Sequence, residues 1–181
     1  MRTYTLQDDS YFSKKSRVML VDEANKEIGC IQKESVEGYE KKHVFSFTWL
    51  EHEECVTLGI KKKGVSRLVK ADYGVVFNDR TYQLSDRIGR NLLYFSVRGS
   101  LQAGEIRFEE NWDEDVEIYI KGEKTGFIKS KKNDSKVTYD FEPSITELSV
   151  EFAVSVLMYY MVKIYRHEAN VVGDLLEDLF S

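Results

Sequence analysis

Apolar and polar residues alternate along most of the chain, and this alternation predicts short β-strands. In the run 45–49 every second residue is a large apolar side chain, and the runs 56–60, 116–120 and 137–141 repeat the pattern. A period of two residues is typical of strands that bury one face. When weaker runs are included, the sequence predicts about twelve strands.

The segment 144–167 departs from this pattern. Its centre, 152–164, is apolar on every face apart from one serine and one lysine, and 144–147 fits a helix-capping box directly after the single proline. A helix that is hydrophobic all round must be enclosed by lipid or protein, and spanning a bilayer takes about 20 apolar residues. The apolar centre is shorter than that, so we predict one helix, 146–167, enclosed by the sheet.

The predicted helix and strands have matching lengths. The apolar centre is about 20 Å long at 1.5 Å per residue, and a strand of six residues is also about 20 Å long. A barrel of about eight strands is filled by its own side chains, whereas one of about twelve has room for a helix. We therefore predict a mainly β fold, a closed antiparallel barrel of about twelve strands around a hydrophobic C-terminal helix.

Length and charge limit the class of protein to which this chain can belong. The 181 residues suit one domain. We expect residues 1–168 to form the barrel, including the central helix 146–167, and residues 169–181 to form a short amphipathic C-terminal tail. The formal net charge of −5 and the pI near 5.4 argue against nucleic-acid binding, which usually requires a clustered basic excess.

Cys30 and Cys55 are the two cysteines of the chain. A secreted disulfide framework normally uses more, so a reducing compartment fits better. The first eight residues contain no apolar stretch of the signal-peptide kind. We therefore expect a cytoplasmic protein, free or peripheral to the membrane surface.

The order of elements resembles the tubby C-terminal-like superfamily, which includes tubby proteins, phospholipid scramblases, LURP-one-related plant proteins and small bacterial relatives. The resemblance rests on the opening segment 11–23, the hairpin end 28–31, the hairpin 118–131 and the helix 147–166, and it covers residues 1–168. It is closest to the small bacterial members. The resemblance implies a twelve-stranded barrel around a C-terminal helix, and phosphoinositide binding through basic surface residues. No motif assigns that binding to individual residues, and the proline-rich tail of scramblase-like members is missing.

The sequence contains few motifs that are typical of enzymes. The sequence has no Gly-x-Ser-x-Gly, GxGxxG or P-loop motif. The run 52–55 holds possible zinc ligands, but we interpret it as a hairpin tip, because a single turn does not make a zinc site. The acidic run 109–117 lacks EF-hand spacing, and we interpret it as a solvated hairpin loop around an exposed-looking Trp112. We expect no catalytic residues, no metal and no cofactor.

Basic residues cluster in several predicted turns. The candidate lipid- or anion-binding residues are Lys41, Lys42, Lys61, Lys62 and Lys63. A lysine near an anionic membrane surface contributes about 1 kcal/mol of binding. Lysines in turns also stay solvated without any partner, and the sequence leaves both interpretations open until their positions in space are known.

The tail has apolar pairs four residues apart, with acids between them. The candidate partner-binding residues are Leu175, Leu176, Leu179 and Phe180. This spacing is typical of an amphipathic helix, too short to be stable alone. We expect it to dock on its own barrel, on a second copy or on a protein partner.

These observations favour a non-enzymatic binding or scaffold module that acts through its outer surface. In the first version it binds anionic phospholipid headgroups. In the alternative it binds a protein, through the tail or a sheet edge. A surface-loop enzyme is a distant third hypothesis, ranked last because no catalytic constellation is visible.

Overall fold

The computed structural model describes residues 1–8, 17–61, 71–86, 94–130 and 135–180, with the backbone alone described at 41–42 and 170–180. In these segments the chain forms twelve strands and one helix. The strands are β1 (Arg2–Gln7), β2 (Val18–Asp22), β3 (Glu27–Lys33), β4 (Tyr39–Trp49), β5 (Cys55–Lys61), β6 (Asp72–Phe77), β7 (Arg80–Asp86), β8 (Ser96–Ser100), β9 (Glu105–Glu110), β10 (Val116–Ile120), β11 (Glu123–Ser130) and β12 (Lys136–Phe141), and the helix is α1 (Val150–Phe180).

The strands form one closed antiparallel barrel. Each strand pairs with its neighbours in sequence, and β1 closes the ring on β12 with Arg2 opposite Phe141 and Gln7 opposite Lys136. The predicted closed barrel with a single C-terminal helix is confirmed. Because neighbouring strands run in opposite directions, successive connections alternate between the two ends of the barrel.

Helix α1 fills the barrel. Residues 150–162 are all buried, and the inward-facing side chains of the strands pack against them. The ring of Phe152 lies 5.0 Å from that of Tyr4, and the ring of Tyr160 stacks on that of Phe45 at 4.5 Å between centroids. A helix that is apolar on every face is thus enclosed by the sheet on every face, as its sequence requires.

The start of the helix differs from the prediction. The Ser149 hydroxyl accepts a hydrogen bond from the Phe152 amide at 3.2 Å, which makes Ser149 the N-cap and Val150 the first helical residue. The predicted capping box at 144–147 is therefore wrong. Both serines precede the apolar run, and local sequence alone did not distinguish them.

The helix also continues beyond its predicted end. It runs without a break through position 167 to Phe180, so the backbone of the predicted tail 169–180 is a continuation of α1. The side chains of Leu175, Leu176, Leu179 and Phe180 lie outside the described residues. Within the described part of the chain, no helix combines the length and the apolar character needed to cross a membrane.

Candidate functional site

The connections at the two ends of the barrel carry opposite charge. We call the end where α1 begins the helix-entry end; it holds the connections after β2, β4, β6, β8, β10 and β12, whose sequences contain seven acidic and two basic residues. The other end is the helix-exit end, and its six connections contain eight acidic and eleven basic residues. The strand ends that flank these basic connections therefore share one end of the barrel, where α1 leaves the lumen, and residues 9–16, 62–70, 87–93 and 131–134 of the connections lie outside the described residues.

Strand pairing brings three of the candidate lysines together. Lys61 ends β5 opposite Tyr39 of β4, and Lys41 and Lys42 follow in β4 where the register shifts before Val44. We call Lys41, Lys42 and Lys61 the lysine patch. Lys62 and Lys63 continue the chain from Lys61 and lie outside the described residues.

Tyr39 provides a packed support beside the lysine patch. Its ring lies across Gly59 and Gly74 on the outer face of β5 and β6: a Cβ at Gly59 would lie 2.9 Å from Tyr39 Cδ1, and one at Gly74 would lie 2.1 Å from the hydroxyl. Burial raises the pKa of Tyr39. Sequence reasoning missed this contact, although glycine inside a strand is a recognised signal of close approach.

An ion pair holds α1 where it leaves the barrel. The Lys163 ammonium group lies 2.5 Å from Asp8 Oδ2, and the Tyr159 hydroxyl donates to the same oxygen at 2.7 Å. Burial, followed by this hydrogen bond, raises the pKa of Tyr159. Asp8 is thereby occupied by two donors from the helix, which is an anchoring arrangement.

A second ion pair holds α1 at the end of β9, four strands around the ring from β1. Arg166 donates to Glu110 Oε1 from Nε at 2.9 Å and from Nη2 at 2.7 Å, while the Phe95 amide donates to Glu110 Oε2 at 2.9 Å. Arg166 also donates to the Glu114 carbonyl and to the Ser130 hydroxyl. Both carboxylate oxygens of Glu110 are satisfied, so the group is an anchor for the helix and for the turn after β9.

The centre of the acidic run, 111–115, forms the turn between β9 and β10, as predicted, whereas 109–110 end β9 and 116–117 begin β10. The Asn111 side-chain oxygen accepts hydrogen bonds from the amides of Asp113 and Asp115 at 2.9 and 3.0 Å, which fixes the turn. Trp112 is 87% exposed, and its ring lies 5.3 Å from that of Tyr94. The turn therefore presents an aromatic side chain to solvent at the helix-exit end.

The run 52–55 lies at the β4–β5 turn, also as predicted, with Cys55 opening β5. In the described segments no three His, Cys, Asp or Glu side chains are grouped so as to hold a metal ion. Among the described residues, the helix-exit end therefore offers charged groups and an exposed aromatic side chain.

The fold is similar to that of a solved structure. A crystal structure of a protein from Arabidopsis thaliana is similar over 91% of this chain and 91% of its own, with a TM-score of 0.50 and 10% sequence identity. At this identity the likeness concerns the fold alone. No family model and no curated protein matches the chain.

Proposed function

We propose that this protein is a non-enzymatic binding module that docks on anionic phospholipid headgroups through its lysine patch and the basic connections beside it. The observation that carries the proposal is the placement of the basic runs. The connection after Lys61, 62–71, contains four Lys or Arg residues and no acid, and Lys41 and Lys42 lie on the neighbouring strand. The resemblance to the tubby C-terminal-like superfamily implies the same class of ligand.

The energy and the range of the interaction between lysines and an anionic membrane support surface binding in spite of the net negative charge of the chain. Each basic residue near an anionic membrane contributes about 1 kcal/mol, and the effect falls off within a Debye length of about 8–10 Å. Acids at the helix-entry end are on the far side of the barrel, beyond that range. The local basic excess therefore determines the sign of the interaction at the lysine patch.

The filled lumen favours a surface function over catalysis. Residues 150–162 occupy the interior that a barrel of this size would otherwise offer to a substrate. In the ring, β5 lies four strands from β9, and the turn after β9 is where Arg166 of the exiting helix is held.

The test is sedimentation with vesicles of phosphatidylcholine, with and without phosphatidylserine. We expect binding that requires the anionic lipid and weakens sharply with salt. Lys61→Glu, Lys62→Glu and Lys63→Glu together should abolish it. The matched control, Lys26→Glu, Lys121→Glu and Lys124→Glu, makes the same charge change at exposed positions near the helix-entry end and should leave binding intact. Equal loss in both triple variants would show that net charge, and not the position of the basic residues at 61–63, is responsible.

A second candidate function is protein binding. It is favoured by the length of α1, whose backbone continues to Phe180, whereas among the side chains described up to Ala169 the buried run ends at Val162. A helix that outruns its own core is typical of a segment that meets another surface.

A further inference from the structure

Exposed apolar side chains concentrate at the helix-entry end of the barrel. Four large apolar side chains are exposed among the described residues, and three of them lie at this end: Met1 is 58% exposed, Leu50 44% and Leu148 46%. Met1 precedes β1, Leu50 follows β4 and Leu148 precedes α1, so they come from three separate parts of the chain. Single exposed apolar residues are ordinary, whereas a group of them on one surface is typical of an interaction site.

A hydrogen bond joins the surroundings of Leu50 to those of Leu148. The Trp49 indole donates to the Glu147 carbonyl at 2.9 Å. Leu50 is the residue after Trp49, and Leu148 is the residue after Glu147. The turn after β4 is therefore in contact with the segment that leads into α1.

The same segment is held to the start of β1. The Arg2 guanidinium donates to the Ile145 carbonyl, and Met1 is the residue before Arg2. The segment 142–149 thus contacts both β1 and β4. We call the following set the entry surface: Met1, Leu50 and Leu148, with the connections 23–26, 50–54 and 142–149.

Acidic side chains predominate around the exposed apolar ones. The three connections of the entry surface contain six acids and one base, and the structure describes all of these residues. The base is Lys26, which is itself paired with Glu51 at 2.7 Å. The strand ends that border these connections add Asp22 and Glu27 against Arg2. The entry surface therefore carries a clear acidic excess.

The charge of the entry surface selects among possible occupants. An anionic membrane would be repelled by it, and a second copy brought face to face would place the same acids opposite each other. Each strand of the closed barrel is paired on both sides, so recognition at this surface depends on side chains and not on a free strand edge. A partner that brings basic side chains next to apolar ones is complementary to it.

We propose that the entry surface binds a basic segment of a protein partner that carries apolar side chains among its lysines or arginines. Leu50 and Leu148, each exposed over a large part of its surface, receive the apolar side chains, and the surrounding carboxylates pair with the cations. The site goes beyond the functions proposed above, because it lies at the end of the barrel opposite to the lysine patch and to the exit of α1.

The test uses the full chain and a labelled synthetic peptide of lysine and leucine. Two control peptides keep its order, one with glutamate in place of lysine and one with serine in place of leucine. Binding is followed by fluorescence anisotropy at pH 8, so that His52 of the turn after β4 adds no positive charge. We expect the lysine–leucine peptide to bind more tightly than either control, with an affinity that weakens as salt is added.

One variant tests the apolar part of the entry surface. Leu50→Ala combined with Leu148→Ala should weaken binding of the lysine–leucine peptide about tenfold, because less apolar surface is buried. Trp112→Ala, at the exposed apolar residue of the helix-exit end, should leave the affinity unchanged. Since all three side chains are exposed, the melting temperatures should stay close to that of the parent protein.

A second variant tests the acids. Glu53→Gln, Glu54→Gln and Glu142→Gln together should weaken binding and reduce its salt dependence. The matched control makes the same charge change at exposed positions of the helix-exit end and should have no effect. It consists of Glu37→Gln, Asp113→Asn and Glu114→Gln.

Equal affinity for the three peptides, absence of binding, or full affinity in either entry-surface variant would overturn the inference. Two further results would overturn it by assigning the surface to another occupant. One is sedimentation with phosphatidylcholine vesicles that Leu50→Ala with Leu148→Ala abolishes. The other is a dimer of the parent protein that the same variant converts to a monomer.

Discussion

The ammonium group of Lys163 lies 2.5 Å from the carboxylate of Asp8, across 155 residues of sequence. Asp8 follows β1 directly, and Lys163 follows Val162, where the buried run 150–162 ends. The contact therefore joins the first strand of the barrel to the helix at its point of exit. The two groups differ in exposure: the Asp8 side chain is 2% exposed and that of Lys163 is 44% exposed.

This ion pair is expected to stabilise the fold through its buried member. Asp8→Ala leaves the buried Tyr159 hydroxyl without its acceptor, and the free energy of unfolding should fall by about 1–3 kcal/mol. Glu51→Ala removes the exposed Lys26–Glu51 pair and should cause no measurable change. Urea unfolding of both variants checks the contrast. Equal effects would show that Asp8 does not anchor the helix.

Because α1 is enclosed, the same substitution at two different leucines should affect folding very differently. Leu157 is fully buried, and Leu157→Asp should unfold the domain, because a buried unpaired charge costs more than a stability of about 5–15 kcal/mol can absorb. Leu148 precedes the helix and is 46% exposed, so Leu148→Asp should retain the fold. Circular dichroism and thermal melting distinguish them. A folded Leu157→Asp protein with an unchanged melting temperature would contradict the enclosed helix.

The contact between Tyr39 and Gly74 is suited to a double-mutant cycle. Gly74→Ala places a methyl group in the volume of the Tyr39 ring and should cost about 1–3 kcal/mol. In a Tyr39→Ala background the same substitution should cost little, since the ring is gone. Unfolding free energies of the four proteins give the coupling. A cost at Gly74 that does not depend on Tyr39 would place the conflict elsewhere.

Tyr119 should make the stability depend on alkaline pH. The hydrogen bond that its hydroxyl donates to Glu117, together with partial burial, raises the pKa of Tyr119 to about 12. The unfolded value is about 10, so the protonated hydroxyl stabilises the fold below pH 10, and this contribution is lost as the pH rises from about 10 to 12. Tyr119→Phe should lose less stability than the parent protein over that window in denaturant titrations. Parallel decline of the two proteins would contradict this.

The strands and the enclosed helix could be predicted because their signals are local. Alternation in the run 45–49 depends on neighbouring residues, and so does the unbroken apolar character of 152–164. A helix without a polar face needs a surrounding sheet, and the number of predicted strands provides one. For these reasons the closed barrel around a helix followed from the sequence itself.

The features that depend on strand register and on closure of the barrel were decided by the tertiary structure. Pairing of β4 with β5 brings Lys41 and Lys42 to Lys61, and the ring order puts the basic connections at the end where α1 leaves. The N-cap at Ser149 and the continuation of the helix to Phe180 were also missed. The physical reason is the same in each case: contacts such as Lys163 with Asp8 join residues far apart in sequence, and periodicity within a short window carries no information about them.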